Sequence, residues 1–170
     1  MAGNINIGGP ILGTSTYIDG QKVQQNVKFD LPEVAYKTAE IQAMGTHEVP
    51  LKGFFEAMEH KVYFDRTDAL VLSAYRPGKV EIRHHWVQDE FDPNGDEVEA
   101  DYKAIIVGIC KTAYPTGTIE TGETPEIELA RTVNSIAIYR SGVELLCIDR
   151  FSQTYRFNGK DYYRDIDQYL

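Results

Sequence analysis

From residue 79 onward, apolar and polar positions alternate. Val80, Ile82, His84 and Trp86 fall on one side of an extended segment, and Glu81, Arg83 and His85 on the other. Side chains two apart share a face of a strand, so this segment is a predicted half-buried strand. Residues 97–112 predict a second long strand. Polar residues alternate at first, then Ile105, Ile106 and Val107 run without a break, which predicts burial on both faces. Residues 126–140 and 143–157 predict a long hairpin across Ser141-Gly142, and Asn158-Gly159 predicts a turn into a short terminal segment. Between the first two strands, Asp92-Pro93-Asn94-Gly95-Asp96 has turn composition.

The front half is less regular. Tyr17-Ile18 and Lys22-Val23 flank Asp19-Gly20, a tight-hairpin signal. Val27, Phe29 and Leu31 alternate with Lys28 and Asp30, and Pro32 should end that strand. Residues 33–43 fit either a strand through Val34, Tyr36 and Thr38 or one short helix. Residues 44–50 read as a loop and 54–64 as one strand. Residues 67–75 form the best helix pattern, with Asp65 or Thr67 as cap and Pro77-Gly78 as stop. Residues 1–16, rich in Gly, Asn, Ser and Thr, predict an arm fixed by a neighbouring subunit, and residues 17–170 a single β domain. The expected fold is mainly β: an antiparallel β-sandwich or barrel with one short α-helix closing an end.

Composition sharpens this picture. The 170 residues are about one domain's length, 42% apolar and 25% charged. The formal charge of −9, with no run of three Lys or Arg, argues against a phosphate-binding surface. Eleven tyrosines against one Trp suit strands and subunit contacts. Cys110 and Cys147 sit in apolar runs with no CxxC, so they read as buried free thiols. The first ten residues lack the features of a signal peptide, and no apolar run reaches membrane-spanning length, so no membrane anchor is expected.

Candidate chemistry is sparse. The adjacent His84 and His85 point to opposite faces of a strand and cannot readily chelate one ion. His47-Glu48 lacks the second histidine of a zinc-peptidase helix, and His60 stands alone. The glycine of the Asp92–Asp96 turn is misplaced for a calcium loop. No nucleophile elbow, phosphate loop or dinucleotide fingerprint occurs, so neither an enzyme nor a cofactor is expected. A small β-barrel binding an apolar ligand remains an open alternative.

Several short motifs recur in a fixed order: Asp19-Gly20, Leu31-Pro32-Glu33, Lys37, Met44-Gly45, Gly142-x-Glu144-Leu145, Ile148-Asp149 and Asn158-Gly159-x-Asp161. On these the chain resembles the major tail tube proteins of contractile phage tails and phage-tail-like bacteriocins, from about residue 17 to 170. It departs from them at Gln42-Ala43-Met44-Gly45, where the family often has Gly-x-Gly-Met, and in a Tyr- and Asp-rich C-terminal tail. The resemblance implies a homo-hexameric ring that stacks into a tube, inside a sheath and around a tape-measure protein, initiated on a baseplate. DNA would pass only as transiting cargo. It also implies location in a virion tail or an extracellular injection particle, after assembly in the host bacterial cytoplasm. The related tube protein of type VI secretion is the neighbouring alternative. Met44, Gly45, Val49, Pro50 and Leu51 are expected to contact the next ring, because residues 40–52 are apolar and continue neither flanking pattern. Glu33, Glu40, Glu56 and Glu59 are expected to face the lumen, where an acidic wall would not hold a polyanion.

Overall fold

Strand β9 (Ile127–Arg140) organises the molecule, because it is hydrogen-bonded on both edges and exchanges partners midway on one of them. A computed structural model describes residues 6–115 and 117–170; residues 1–5 and 116, parts of the expected arm and polar loop, lie outside the described residues. On one edge β9 pairs with β8 (Glu97–Cys110). On the other, its first half pairs with β6 (Glu59–Phe64) and its second half with β10 (Val143–Asp149). The sheet therefore branches. One arm continues from β6 to β3 (Val27–Asp30), the other from β10 through β11 (Thr154–Phe157) to β12 (Lys160–Asp161). Beyond β8 lie β7 (Lys79–Phe91), β1 (Ile7–Ile18) and the short β2 (Gln21–Lys22). All the pairs are antiparallel. The path β1-β7-β8-β9-β6-β3 curls until β1 and β3 run side by side with no ladder between them. A separate two-stranded sheet is made by β4 (Tyr36–Gln42) and β5 (Thr46–Phe55).

The mainly antiparallel β fold and its short helix match the sequence expectation. Helix α1 (Ala69–Ser73) inserts Val71, followed by Ala74 and Tyr75, among Ile18, Val62, Phe64 and Ile82. Its cap is Asp68, whose Oδ1 accepts from the Val71 N–H at 2.9 Å, rather than Asp65 or Thr67. Other elements differ from expectation. Residues 7–16 are not an arm but the body of β1, since backbone pairing with β7 orders even a Gly-rich segment. Of the two readings of residues 33–43 the strand is found, as β4, and the expected loop at 44–50 is a tight Met44-Gly45 turn followed by β5. Pro50 is tolerated there because both strands of a two-stranded sheet are edges. The expected strand 54–64 breaks at residues 56–58, where the chain crosses from one sheet to the other. The expected strand 143–157 is cut by a turn that Asp149 closes by accepting from the Phe151 and Ser152 N–H groups. A single helical turn, α2 (Arg164–Asp167), ends the fold. Ile105 and Val107 are half-buried, and so are both cysteines.

The interior is layered. One apolar cluster gathers Ile18, Val62, Val80, Ile82 and Leu129 under α1. A second gathers Met58, Ala104, Ile106, Val133, Ile136 and Ile148 toward β10 and β11. Between them lie buried polar residues from four strands: Thr16 of β1, His60 of β6, His84 of β7 and Arg131 of β9. Thr16 Oγ1 lies 2.9 Å from His84 Nδ1, and His84 Nε2 lies 2.9 Å from His60 Nε2. His60 and Arg131 are register partners, and the Arg131 Nη2 donates to the carbonyls of Val80 (2.7 Å) and Ile106 (3.1 Å). Thus His60, expected to stand alone, is one link of a chain that crosses the fold. Burial holds the Arg131 guanidinium down at about 10, so it stays charged at neutral pH. Burial, then the positive potential of Arg131 and His85, pushes His84 down to about 3. Burial, His84 and Arg131 hold His60 well below the ordinary imidazole value.

Arg131 needs room that a side chain on β8 would occupy. A Cβ at Gly108 would sit 2.5 Å from the Thr132 carbonyl oxygen and 3.0 Å from the Arg131 Nη2, beside a register shift between Val107 and Gly108. The first atom is backbone and has no easy retreat. Gly108→Ala should therefore lower unfolding stability by about 1–3 kcal/mol, through strain across the β8–β9 ladder, in a urea melt.

The histidine layer sets a pH dependence. The Nε2–Nε2 contact needs one donor and one lone pair, so both rings cannot be protonated without setting two N–H groups against each other. The unfolded chain takes up protons near pH 6.5, whereas the folded pair resists until far lower. With more protons on the unfolded state, stability falls as pH drops from about 6.5 toward about 3. The slope is about 1.4 kcal/mol per pH unit for each histidine. Urea melts at pH 7 and pH 5 should show this loss, and a His60→Gln/His84→Asn variant should flatten it. An unchanged slope in that variant would assign the acid sensitivity to other groups.

Candidate functional site

The exposed elements, not the interior, hold the candidate site. The β4–β5 hairpin is amphipathic. Ala39, Ile41, His47, Val49 and Leu51 share one face, and Thr38, Glu40, Gln42, Thr46, Glu48 and Pro50 the other. Met44 is wholly exposed at the tip, in a left-handed conformation, with Gly45 beside it. Ile41 and Leu51 are also exposed, and Val49 is half-buried. The five residues expected at the ring-to-ring contact, Met44, Gly45, Val49, Pro50 and Leu51, thus all lie on this one projection.

The hairpin is attached at its base by aromatic residues. The Tyr36 and Tyr155 hydroxyls are hydrogen-bonded, and Phe55 packs against both rings. The Glu56 N–H donates to the Ala35 carbonyl at 2.8 Å. Gly53, at φ +77°, lies under the Tyr163 ring, where a Cβ would come within 3.0 Å. This kink accounts for the register shift that places Tyr36 opposite Phe55. Part of the tyrosine surplus is therefore structural: Tyr155, Tyr162 and Tyr163 anchor the hairpin and the second core. The doubled Tyr162-Tyr163 was the sequence signal for this anchor.

The four glutamates expected at the lumen do not form one cluster. Glu33 is exposed ahead of β4, and Glu56 is exposed in the break between β5 and β6. Glu40 stands directly opposite Glu48 on the polar face of the hairpin, a like-charge cross-strand pair. Glu59 is held by Lys111 at 2.7 Å and Lys61 at 3.6 Å, and these lysines depress its pKa through a hydrogen bond and the local field. Its charge is largely neutralised locally, unlike that of the other three.

A second exposed feature escaped sequence reasoning. Where β1 and β3 run without a ladder, Ile11, Thr14, Val27, Lys28, Phe29, Leu31 and Trp86 line an open apolar groove. Phe29 forms its floor by stacking on His84 at 3.8 Å, and Trp86 adjoins it. The alternation of Val27, Phe29 and Leu31 was visible; its opposition to Ile11 across a seam was not, because the two segments lie on strands that do not pair.

Among the described residues, no group of three His, Cys, Asp or Glu could hold a metal ion, and no helix is long and apolar enough to cross a membrane. The His60–His84 pair is fully buried, and burial keeps both rings neutral near pH 7. The polar layer is built as a core element.

Comparison with known proteins agrees with this arrangement. A chain of the PVC sheath-tube complex of an extracellular contractile injection system, in the extended state, superposes with a TM-score of 0.53 at 10% identity. The match covers 77% of this chain and 90% of the other. A chain of the PVC sheath/tube terminator in the extended state gives 0.51 at 10% identity, covering 76% and 95%. At this identity the likeness establishes shared fold. No curated protein matches the chain in sequence. The family profile of phage tail tube protein FII matches residues 10–170, a span that includes β4–β5, the groove and the branched sheet. The chain therefore belongs to the phage tail tube protein FII family, a family of structural proteins rather than enzymes.

Proposed function

We propose that this protein is the inner-tube subunit of a contractile phage tail or tail-like injection machine, forming hexameric rings that stack into a channel for DNA or other cargo. The observation that carries this reading is the tail-tube family match across residues 10–170. The unpartnered β4–β5 hairpin supports it, since an isolated two-stranded sheet is marginal in water and gains stability from a neighbour. A sheath protein, a tape-measure protein and a baseplate initiator complete the proposed set of partners, in a virion tail or extracellular particle assembled in the host bacterial cytoplasm.

In this reading Met44, Gly45, Val49, Pro50 and Leu51 contact the next ring. Purified protein supplied with its baseplate complex should form rings and tubules in negative stain. Removing residues 42–50 should leave the main sheet folded by circular dichroism but abolish tubules. Tubules of ordinary length from the deletion variant would overturn the role of the hairpin. Wild-type protein that stays monomeric at high concentration with the initiator present would overturn the tube itself.

The channel wall is proposed to be net negative, with Glu33, Glu40, Glu56 and Glu59 contributing. An acidic wall limits adhesion of a polyanionic cargo. Because Glu59 holds Lys111 and Lys61, reversing it would gather three cations. The informative variant is therefore Glu33→Lys/Glu56→Lys, at two exposed positions. Tube assembly should survive and cargo passage should slow in an ejection assay. A tube structure with these side chains turned toward the sheath would refute the lumen assignment.

A further inference from the structure

The ladder between β4 and β5 is interrupted at its base. Tyr36 pairs with Phe55 and Thr38 with Pro50, so Lys37 alone stands opposite residues 51–54. An irregularity of this kind breaks the local alternation of the strand and re-aims the side chain beside it. Gly53, at φ +77°, completes the kink. Lys37 lines a cleft between the base of the hairpin and the turn that joins β10 to β11. On the body side of the cleft, Gln153 holds a left-handed backbone at φ +54°, uncommon for a residue other than glycine. Backbone irregularities gather at binding sites, and here Lys37, Gly53 and Gln153 bring three of them to one cleft.

The charged residues lining the cleft are Lys37, Arg150 and Asp149. Asp149 spends its Oδ1 on the Phe151 and Ser152 N–H groups, at 3.0 and 3.1 Å. Arg150 is held at both ends: its backbone N–H donates to the Asn134 carbonyl at 3.1 Å, and its Nη2 to the Phe55 carbonyl at 3.3 Å. Among the described residues, neither Lys37 nor Arg150 pairs with a carboxylate. Two cations against one engaged acid leave the cleft net positive, in a chain whose formal charge is −9.

The remaining lining is largely apolar and aromatic, with Phe54, Phe55, Ile148 and Tyr163. Phe54 is exposed although it adjoins the second apolar cluster through Phe55. The cleft encloses about 200 Å³. Drug-sized ligands occupy roughly 300–1,000 Å³, so the occupant of this one is small. A few polar groups converging on an apolar wall are the usual makeup of a small-molecule site.

We propose that this cleft binds a small phosphomonoester with an apolar body. Lys37 meets the phosphoryl oxygens as a point charge from the hairpin side, and Arg150 meets them from the body side with the N–H groups that Phe55 does not use. Phe54 and Tyr163 cover the apolar part. A phosphomonoester carries a charge of about −1.5 to −2 at pH 7, which matches two cations better than a carboxylate does. Because Lys37 belongs to β4 and Arg150 to the turn after β10, the ligand ties the hairpin to the main sheet. The site does not depend on the tube reading.

Phenyl phosphate is the probe, titrated at low salt into the isotope-labelled full chain and followed by amide chemical shifts. Saturable shifts should gather at residues 53–55 and 149–154, and amides of β4 and β5 should exchange more slowly in the bound protein. Benzoate should bind about tenfold more weakly than phenyl phosphate, and Lys37→Gln should weaken phenyl phosphate by about tenfold. Lys37 is exposed and has no partner among the described residues, so Lys37→Gln should keep the wild-type urea melt. Lys37→Arg should retain binding. Lys28→Gln removes an exposed cation from a different surface, the β1–β3 groove, and should bind as the wild type does. Shifts that scatter over the surface, fail to saturate, or weaken equally in Lys37→Gln and Lys28→Gln would show general charge attraction and overturn the site. Tubule formation is a separate readout, so such a failure leaves the tube reading standing.

Discussion

The fold depends on a thin polar layer through an otherwise apolar interior. Thr16, His84, His60 and Arg131 come from β1, β7, β6 and β9, and on β7 and β9 the polar member separates residues of the two apolar clusters. Charge and hydrogen-bond direction do here what shape alone cannot. A strand slipped by one residue would turn its polar member outward and bring a neighbour into the layer. Arg131 ties the branch of the sheet together by bonding carbonyls on β7 and β8 from a position on β9 next to His60. The layer is incompletely satisfied: His60 Nδ1 and Arg131 Nε and Nη1 have no partner among the described residues. Buried groups of that kind cost about 1–3 kcal/mol each, so the layer lowers stability while fixing register.

Around this frame lie two exposed features. The hairpin stands out from the main sheet, and the groove opens where the curled sheet fails to close. The groove rests on the polar layer, since Phe29 at its floor stacks on His84, whereas the hairpin rests on the second apolar cluster through Phe55 and Tyr155. Charge is distributed just as unevenly. The far end of the β7–β8 hairpin carries Asp89, Glu90, Asp92, Asp96, Glu97, Glu99 and Asp101, and among the described residues only Glu90 of these acids has a cation partner, Arg140 at 2.6 Å. The net charge of −9 is thus concentrated at one end, where it discourages contact between like ends of two copies.

Much of this architecture is legible in the sequence, for local reasons. The alternation of β7, and the turns at Asp19-Gly20, Asp92–Asp96, Ser141-Gly142 and Asn158-Gly159, depend on a few adjacent residues. The misses depend on distant ones. The Gly-rich residues 7–16 become strand only because β7 offers a ladder, and residues 46–50 only because β4 does. His60 and His84 are 24 positions apart, and no local pattern announces their contact. An arginine at position 131 in a strand reads as a solvent-facing residue; its burial follows from the missing side chain at Gly108, on another strand. The hairpin was visible as a segment that fitted neither neighbour. The groove was not, because Ile11 and Leu31 meet across a seam that has no pairing to predict.

The independence of the hairpin has a dynamic consequence. Its backbone hydrogen bonds belong to a two-stranded sheet with open edges, held to the body by the contacts of Tyr36 and Phe55 with Tyr155 and by the Arg150 guanidinium, which donates to the Phe55 carbonyl at 3.3 Å. Opening it disrupts neither apolar cluster beyond Phe55. In the free subunit, the amides of β4 and β5 will exchange with solvent through a low-energy local fluctuation, while those of β8 and β9 wait for global unfolding. Any partner seated on the hairpin would slow the first set and leave the second unchanged, so exchange at β4 and β5 reads occupancy of this projection separately from global stability.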